Sequence, residues 1–88
     1  ELESKRQLAT INTGNYPHGL RLSPDGRSLY VANVKSDSVS VIDVASLRET
    51  GRIAVGKAPV QVGFSADGKQ AYVSLSAENA LGLIDTAS

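Results

Sequence analysis

Short runs of alternating apolar and polar residues divide the chain into strand-sized segments. Near the start, Leu20 and Leu22 alternate with Arg21, which is the period-two pattern of a half-buried strand. Val39–Val44 is rich in β-branched residues, which suit a pleated surface. Turn-forming residues such as Ser23-Pro24-Asp25-Gly26 separate the runs. The pattern predicts strands at residues 19–23, 28–33, 39–44, 49–55, 60–64, 70–75 and 81–85.

The runs recur at a fixed spacing. Tyr30-Val31 returns as Tyr72-Val73, and Ser23-Pro24-Asp25-Gly26 returns as Ser65-Ala66-Asp67-Gly68, in both cases 42 positions later. A period of about 40–45 residues is typical of a β-propeller blade, which is one four-stranded sheet per repeat. The predicted fold class is therefore all-β, with two propeller blades of antiparallel sheet in the chain.

The same offset divides the chain into three parts. Residues 1–14 correspond to the fourth strand of a blade, residues 15–56 to a complete blade, and residues 57–88 to the first three strands of the next. The match in the first part consists of Ser4, Arg6, Ile11 and Gly14 against Ser46, Arg48, Ile53 and Gly56. We therefore expect the first segment to be free to complete the last blade of another copy.

Two blades are too few to close a propeller, which has about four to eight. From strand spacing and rise, each sheet face measures roughly 320 Å², so two apolar faces would be exposed beside an unpaired strand. The sequence predicts that copies of the chain join head to tail as a homotrimer or homotetramer, forming a six- or eight-bladed toroid. The alternative is that the chain is a piece excised from a longer propeller.

Composition restricts the possible partners. Nine basic residues balance nine acidic ones and are scattered along the chain, which argues against a nucleic-acid partner because such binding needs concentrated positive charge. The absence of cysteine excludes disulfides and thiolate metal sites and leaves the redox compartment undetermined. No apolar run approaches the roughly 20 residues of a transmembrane helix, so no membrane partner is predicted.

The motifs resemble the YVTN β-propeller repeat over essentially the whole chain. The resemblance is carried by the motifs Pro17-His18-Gly19, Ser23-Pro24-Asp25-Gly26, Tyr30-Val31-Ala32-Asn33 and Val39-Ser40-Val41-Ile42-Asp43. The second repeat departs from the consensus at Val60-Gln61, Ala66 and Leu75. The resemblance implies a bacterial or archaeal protein, often outside the cytoplasm or on the cell surface. Related propellers occur in haem-containing nitrite reductases, quinoprotein-associated proteins and lactonases, and a shared fold does not choose among these functions.

Arg21 and His18 are the candidate ligand-binding residues. Arg21 lies midway along the innermost predicted strand, and its counterpart in the second blade is Gly63. In a ring of copies, its side chains would converge on the channel and hold a small anion by charge-assisted bonds. The structural alternative is that Arg21 points to solvent or pairs with a local carboxylate. His18 offers a metal ligand or base at the channel mouth, although its place in the repeat consensus favours a structural role.

The remaining polar residues are better explained by the repeat than by chemistry. His18, Ser23 and Asp25 are the residue types of a nucleophilic triad, but a strand of this length separates His18 from Ser23 by roughly 16 Å, too far for a triad. Asp43 and Asp85 recur at strand ends, which indicates hydrogen bonding there. No catalytic residue, metal site or cofactor is predicted.

The sequence favours a non-enzymatic β-propeller scaffold or binding module that self-assembles, and it leaves open whether the chain is natural, designed or excised from a longer protein. The alternative is a fragment of a propeller enzyme, such as a redox protein or lactonase, whose catalytic residues lie elsewhere.

Overall fold

The computed structural model describes residues 10–86. Its regular structure is seven strands and one turn of 3-10 helix at Val34–Ser36. The strands are β1 (Pro17–Leu22), β2 (Ser28–Asn33), β3 (Ser38–Asp43), β4 (Arg48–Ala54), β5 (Pro59–Phe64), β6 (Gln70–Leu75) and β7 (Ala80–Asp85). Each lies within two residues of its predicted position.

The strands form two antiparallel sheets, as the propeller repeat predicts. The first sheet has the order β1-β2-β3-β4, and the second has the order β5-β6-β7. The fourth strand expected at the start of the chain lies largely on residues 1–9, outside the described residues, and residues 10–14 form no strand.

Strand β1 begins two residues earlier than expected and carries a bulge between Pro17 and Leu20. A bulge bends and twists its strand. Gly19 lies in this bulge, and a Cβ placed on it would overlap the carbonyl oxygen of Val60. The first strand of one blade therefore approaches the first strand of the next too closely for a side chain at this position.

The two repeats use the same hydrogen bonds in their turns. The Ser23 hydroxyl donates to Asp25 Oδ1 over 2.7 Å, and the Ser65 hydroxyl donates to Asp67 Oδ1 over the same distance. The backbone N–H groups of Arg27 and Lys69 donate to these carboxylates at 2.9 and 3.0 Å. These contacts explain the recurrence of Ser-x-Asp-Gly, because each turn closes through its own side chains.

The core lies between the two sheets. It comprises residues from one face of β2 and β3 packed against one face of β5, β6 and β7; its buried members are Tyr30, Ala32, Val39, Val62, Ala71, Val73, Leu75 and Ile84. Tyr30 meets Phe64 edge to face, with ring centroids 5.0 Å apart. Tyr30 therefore packs between the two blades.

The outward faces of the two sheets expose apolar side chains. Leu20 and Leu22 on β1 are 60% and 51% exposed, and Leu81 and Leu83 on β7 are 62% and 63% exposed. Leucines alternate with other residues along β1 and β7, as apolar residues do along the buried strands. The four leucines are exposed because no other sheet of the described chain packs against them.

A search of residues 10–86 finds no helix with the length and apolar character to cross a membrane.

Candidate functional site

The inner strand β1 carries both candidate ligand-binding residues. Strands β1 and β2 pack against β5, so the first strands of the two blades are neighbours. His18 and Arg21 are both exposed on β1. The structure thus places both side chains on the strand that the sequence assigned to the channel side of the blade.

Arg21 lies opposite Tyr30 in the β1–β2 register. Directly opposed residues of an antiparallel pair share a face of the sheet, so Arg21 is on the face of the first blade that meets the second. Its counterpart Gly63 lies opposite Tyr72, and a Cβ added to Gly63 would meet nothing within 4 Å. The open space beside Gly63 is therefore on the outward face of the second blade, and the anion site at Arg21 stays a prediction that requires further copies.

His18 contacts an aromatic ring. The rings of Tyr16 and His18 are 6.5 Å apart between centroids, at 75° to one another. The Lys35 ammonium lies 5.2 Å from the centroid of the Tyr16 ring. Within residues 10–86 no group of three or more His, Cys, Asp or Glu side chains is placed to hold a metal ion. His18 as a ligand also remains a prediction.

The turn carboxylates act within their own turns. The Ser23 hydroxyl, followed by the Arg27 backbone N–H, lowers the pKa of Asp25. The Lys69 backbone N–H, followed by the Ser65 hydroxyl, lowers the pKa of Asp67. Hydrogen bonds to a carboxylate favour its charged form. A depressed pKa makes each carboxylate a poor general base, and its donors identify it as a structural residue.

A cleft of about 160 Å³ lies between the two turns, with Asp25, Asp67, Tyr30 and Thr86 among its lining residues. Burial, followed by the negative charge of Asp25, raises the pKa of Tyr30. Ligand pockets generally measure about 300–1,000 Å³, so this cleft is too small for most organic ligands.

A buried polar cluster on the outward face of the first blade escaped the sequence reasoning. Asn33 is fully buried, and its amide nitrogen donates to Ser38 Oγ at 3.3 Å and Ser40 Oγ at 2.9 Å. Asn33 Oδ1 accepts no hydrogen bond from the part of the chain that the structure describes. At the equivalent position the second blade has Leu75, in the apolar core. The sequence did contain a signal for this cluster, because Leu75 departs from the repeat consensus. A leucine in place of an asparagine indicates that positions 33 and 75 have different surroundings.

A larger groove separates the outer strands of the two sheets. Its cavity is about 350 Å³, and it is lined by residues 53–55 at the end of β4 and residues 82–85 of β7. Ile53 and Val55 also pack against the core between the blades. Strand β7 pairs with β6 on one side and borders this groove at the margin of its sheet.

Two comparisons with known proteins agree with this architecture. The model of the YNCE-like beta-propeller family matches residues 3–86. Among solved structures, a chain of hydrazine synthase from Kuenenia stuttgartiensis is 45% identical, with a TM-score of 0.78 over 81% of this chain. The match covers only 21% of that chain. No curated protein sequence gives a significant match.

The family match covers nearly the whole chain, and the repeat, turns and paired sheets are those of propeller blades. The resemblance to a YVTN-type repeat is thereby confirmed, and the chain belongs to the YNCE-like β-propeller family.

Proposed function

We propose that the chain is a non-enzymatic β-propeller scaffold or binding module that assembles with copies of itself into a closed ring. The observation that carries the proposal is that each outward face corresponds, through the 42-residue repeat, to one of the two faces already joined within the chain.

The central aromatic contact illustrates the correspondence. Tyr30 on the first blade packs against Phe64 on the second. Displaced by one repeat, these positions are occupied by Tyr72 on the outward face of the second blade and Leu22 on the outward face of the first. A tyrosine and an apolar partner are therefore present at both open faces, where a second copy would bring them together.

Strand β7 supports the same arrangement. Leu81 and Leu83 correspond to Val39 and Val41 of β3, which are part of the packed interface between blades. On β7 both leucines are more than half exposed. Exposed apolar patches of this kind mark interaction surfaces. Three or four chains joined through these faces would give six or eight blades.

Solution mass tests the proposal. Native mass spectrometry should show one species at three or four times the 9.2 kDa mass of the chain. Tyr72→Lys should shift this species to the monomer, since it introduces a charge into the outward face. Leu47→Lys is the matched control, because Leu47 is an exposed apolar residue in the β3–β4 turn, away from both faces. A monomeric wild-type chain, or equal loss of assembly in the control, would contradict the proposal.

A second candidate function is a segment of a propeller belonging to an enzyme. It is favoured by the 45% identity to a chain of hydrazine synthase, of which the match covers 21%. Under this proposal the reacting groups lie outside the present residues. Extending the coding sequence in both directions provides the test, because haem or metal ligands in adjoining sequence would favour the enzyme and their absence would favour the scaffold.

A further inference from the structure

We infer that the groove between β4 and β7 receives residues 4–14 of a second copy, which completes the second blade as its fourth strand. The inference rests on the proposed self-assembly and names the segment and the register through which it occurs.

The first blade shows how a fourth strand pairs with the third strand in a complete sheet. There β4 pairs with β3, opposing Val39 to Ile53 and Asp43 to Arg48. In the second blade β7 corresponds to β3 and, among residues 10–86, is the last strand of its sheet. The groove beside it has apolar walls from Ile53, Val55 and Ile84, which suit a strand with one apolar face. Strand addition to such an edge is a general mode of recognition in which backbone hydrogen bonds supply affinity.

The 42-residue offset gives the register. Displacing the β3–β4 pairs by one repeat opposes Leu81 to Ile11 and Asp85 to Arg6. The first pair is apolar and occupies the place of Val39 and Ile53. The second is an aspartate opposite an arginine, as in the first blade, and opposite charges directly across a strand pair are stabilising. The segment thus matches the edge in both apolar character and charge.

Residues 10–14, the part of the segment that the structure describes, show to which blade the segment belongs. Gly14 lies against Asn33 just as Gly56 lies against Leu75, leaving no space for a Cβ at either glycine. Asn15 N–H donates to Ser36 Oγ at 2.6 Å, and the equivalent Lys57 N–H donates to Glu78 Oε1 at 2.6 Å.

Gly56 follows β4, the last strand of the first blade, and leads into the second blade. By the repeat, Gly14 follows the last strand of a blade that would precede the first. Asn33 belongs to the face of the first blade directed away from the second, because its counterpart Leu75 faces back towards the first blade in the core. Residues 4–14 therefore belong with a preceding blade, and a second copy provides that blade through its β5–β7 sheet.

Crosslinking between copies tests the register, and the chain is well suited to it because it contains no cysteine. Ile11→Cys and Leu81→Cys chains, made with distinguishable tags, are mixed and mildly oxidised. Directly opposed residues have Cβ atoms about 4.5–5.5 Å apart, close to disulfide geometry. Most of the product should be a disulfide-linked heterodimer. Ala9→Cys mixed with Leu81→Cys is the control, because it is displaced by two residues and should give several-fold less product.

The possible outcomes separate this inference from the proposal on which it rests. A wild-type chain that is monomeric by native mass spectrometry overturns both. An assembled wild type without preferential crosslinking of positions 11 and 81 overturns only the strand addition. Homodimers of either single variant would instead show that like edges pair. A rapid disulfide within one chain of the Ile11→Cys/Leu81→Cys double variant, at high dilution, would show that the groove takes its own segment.

Discussion

Leu47 is held in the left-handed backbone conformation, with φ of 58°, in the turn between β3 and β4. Asp37 and Asn79 adopt similar angles in the connections before β3 and β7. Asp and Asn tolerate this region better than other residues with a Cβ. The turn at Leu47 therefore carries a local strain that is smaller at Asp37 and Asn79, where the residue type suits a positive φ.

Replacing Leu47 with Asn should stabilise the fold. Leu47→Ala is the matched control, because it also loses the leucine side chain but lacks the polar group that lets Asn adopt a positive φ. We expect Leu47→Asn to exceed Leu47→Ala in free energy of unfolding by about 1 kcal/mol, measured by denaturant titration at equal chain concentration. Equal stability of the two variants would show that the turn is not strained.

The carboxylate of Asp25 makes the free energy of unfolding depend on pH in the acid range. Its pKa is lowered in the folded chain, chiefly by the Ser23 hydroxyl and then by the Arg27 N–H, whereas an unfolded aspartate titrates near about pH 3.9. The folded state therefore binds the proton less readily. Its contribution to stability is complete above the unfolded pKa and disappears as the pH falls through the folded pKa.

Asp25→Asn should reduce this acid sensitivity. The stability difference between wild type and the variant is expected to shrink as the pH is lowered through about 4. Ser23→Ala, which removes the leading cause of the shift, should show an intermediate pH dependence. Parallel pH profiles for all three chains in thermal unfolding would contradict the assignment.

At the scale of elements, the close approach of β1 to β5 restricts which residue can occupy position 19. Gly19 sits in the bulge of β1, against the backbone of Val60. Gly63 on β5 is instead next to open space. The two glycines lie on neighbouring inner strands, so they separate the effect of close packing from the general effect of adding a methyl group.

Gly19→Ala should destabilise the chain by about 1–3 kcal/mol, because the added atom forces the inner strands apart. Gly63→Ala should be neutral or stabilising by up to about 1 kcal/mol, since it restricts the unfolded chain without a clash. Chemical denaturation at one chain concentration compares the two variants. Similar effects of both substitutions would mean that the strands do not meet at Gly19.

The positions of the strands could be predicted because their causes are local. Alternation, β-branched residues and turn chemistry identified all seven, and the repeat supplied independent support. The start of β1 was placed two residues late, since the irregular pairing between Pro17 and Leu20 interrupts the alternation by which a strand is recognised. The buried cluster around Asn33 was also missed, because burial of a polar side chain depends on what covers it.

At the scale of the whole molecule, the contact between Tyr30 and Phe64 joins one blade to the next. Tyr30 is only 7% exposed, so its ring is largely enclosed by the two sheets. Edge-to-face aromatic pairs contribute about 0.5–1.5 kcal/mol beyond their buried area. The same contact is the pattern for the proposed association of Tyr72 with Leu22 of a second copy.

A double-mutant cycle measures this contact. Tyr30→Leu and Phe64→Leu should couple by about 0.5–1.5 kcal/mol in the free energy of unfolding. The control cycle pairs Phe64→Leu with Leu81→Ala, whose residue lies on the opposite face of the second sheet and two strands away. Its effects should add within about 0.5 kcal/mol. Additivity in the Tyr30 cycle would show that the rings do not stabilise the junction.

The sequence by itself determined the repeat, the turns and the identity of the blades, because these depend on residues close together in the chain. The tertiary structure decided which apolar faces are covered. Leu22 and Phe64 occupy the same place in their repeats, yet Phe64 packs against Tyr30 while Leu22 is half exposed. Burial depends on a neighbouring sheet, and the arrangement of the two sheets leaves exposed Leu20 and Leu22 on one outward face, Leu81 and Leu83 on the other, and the groove beside β7.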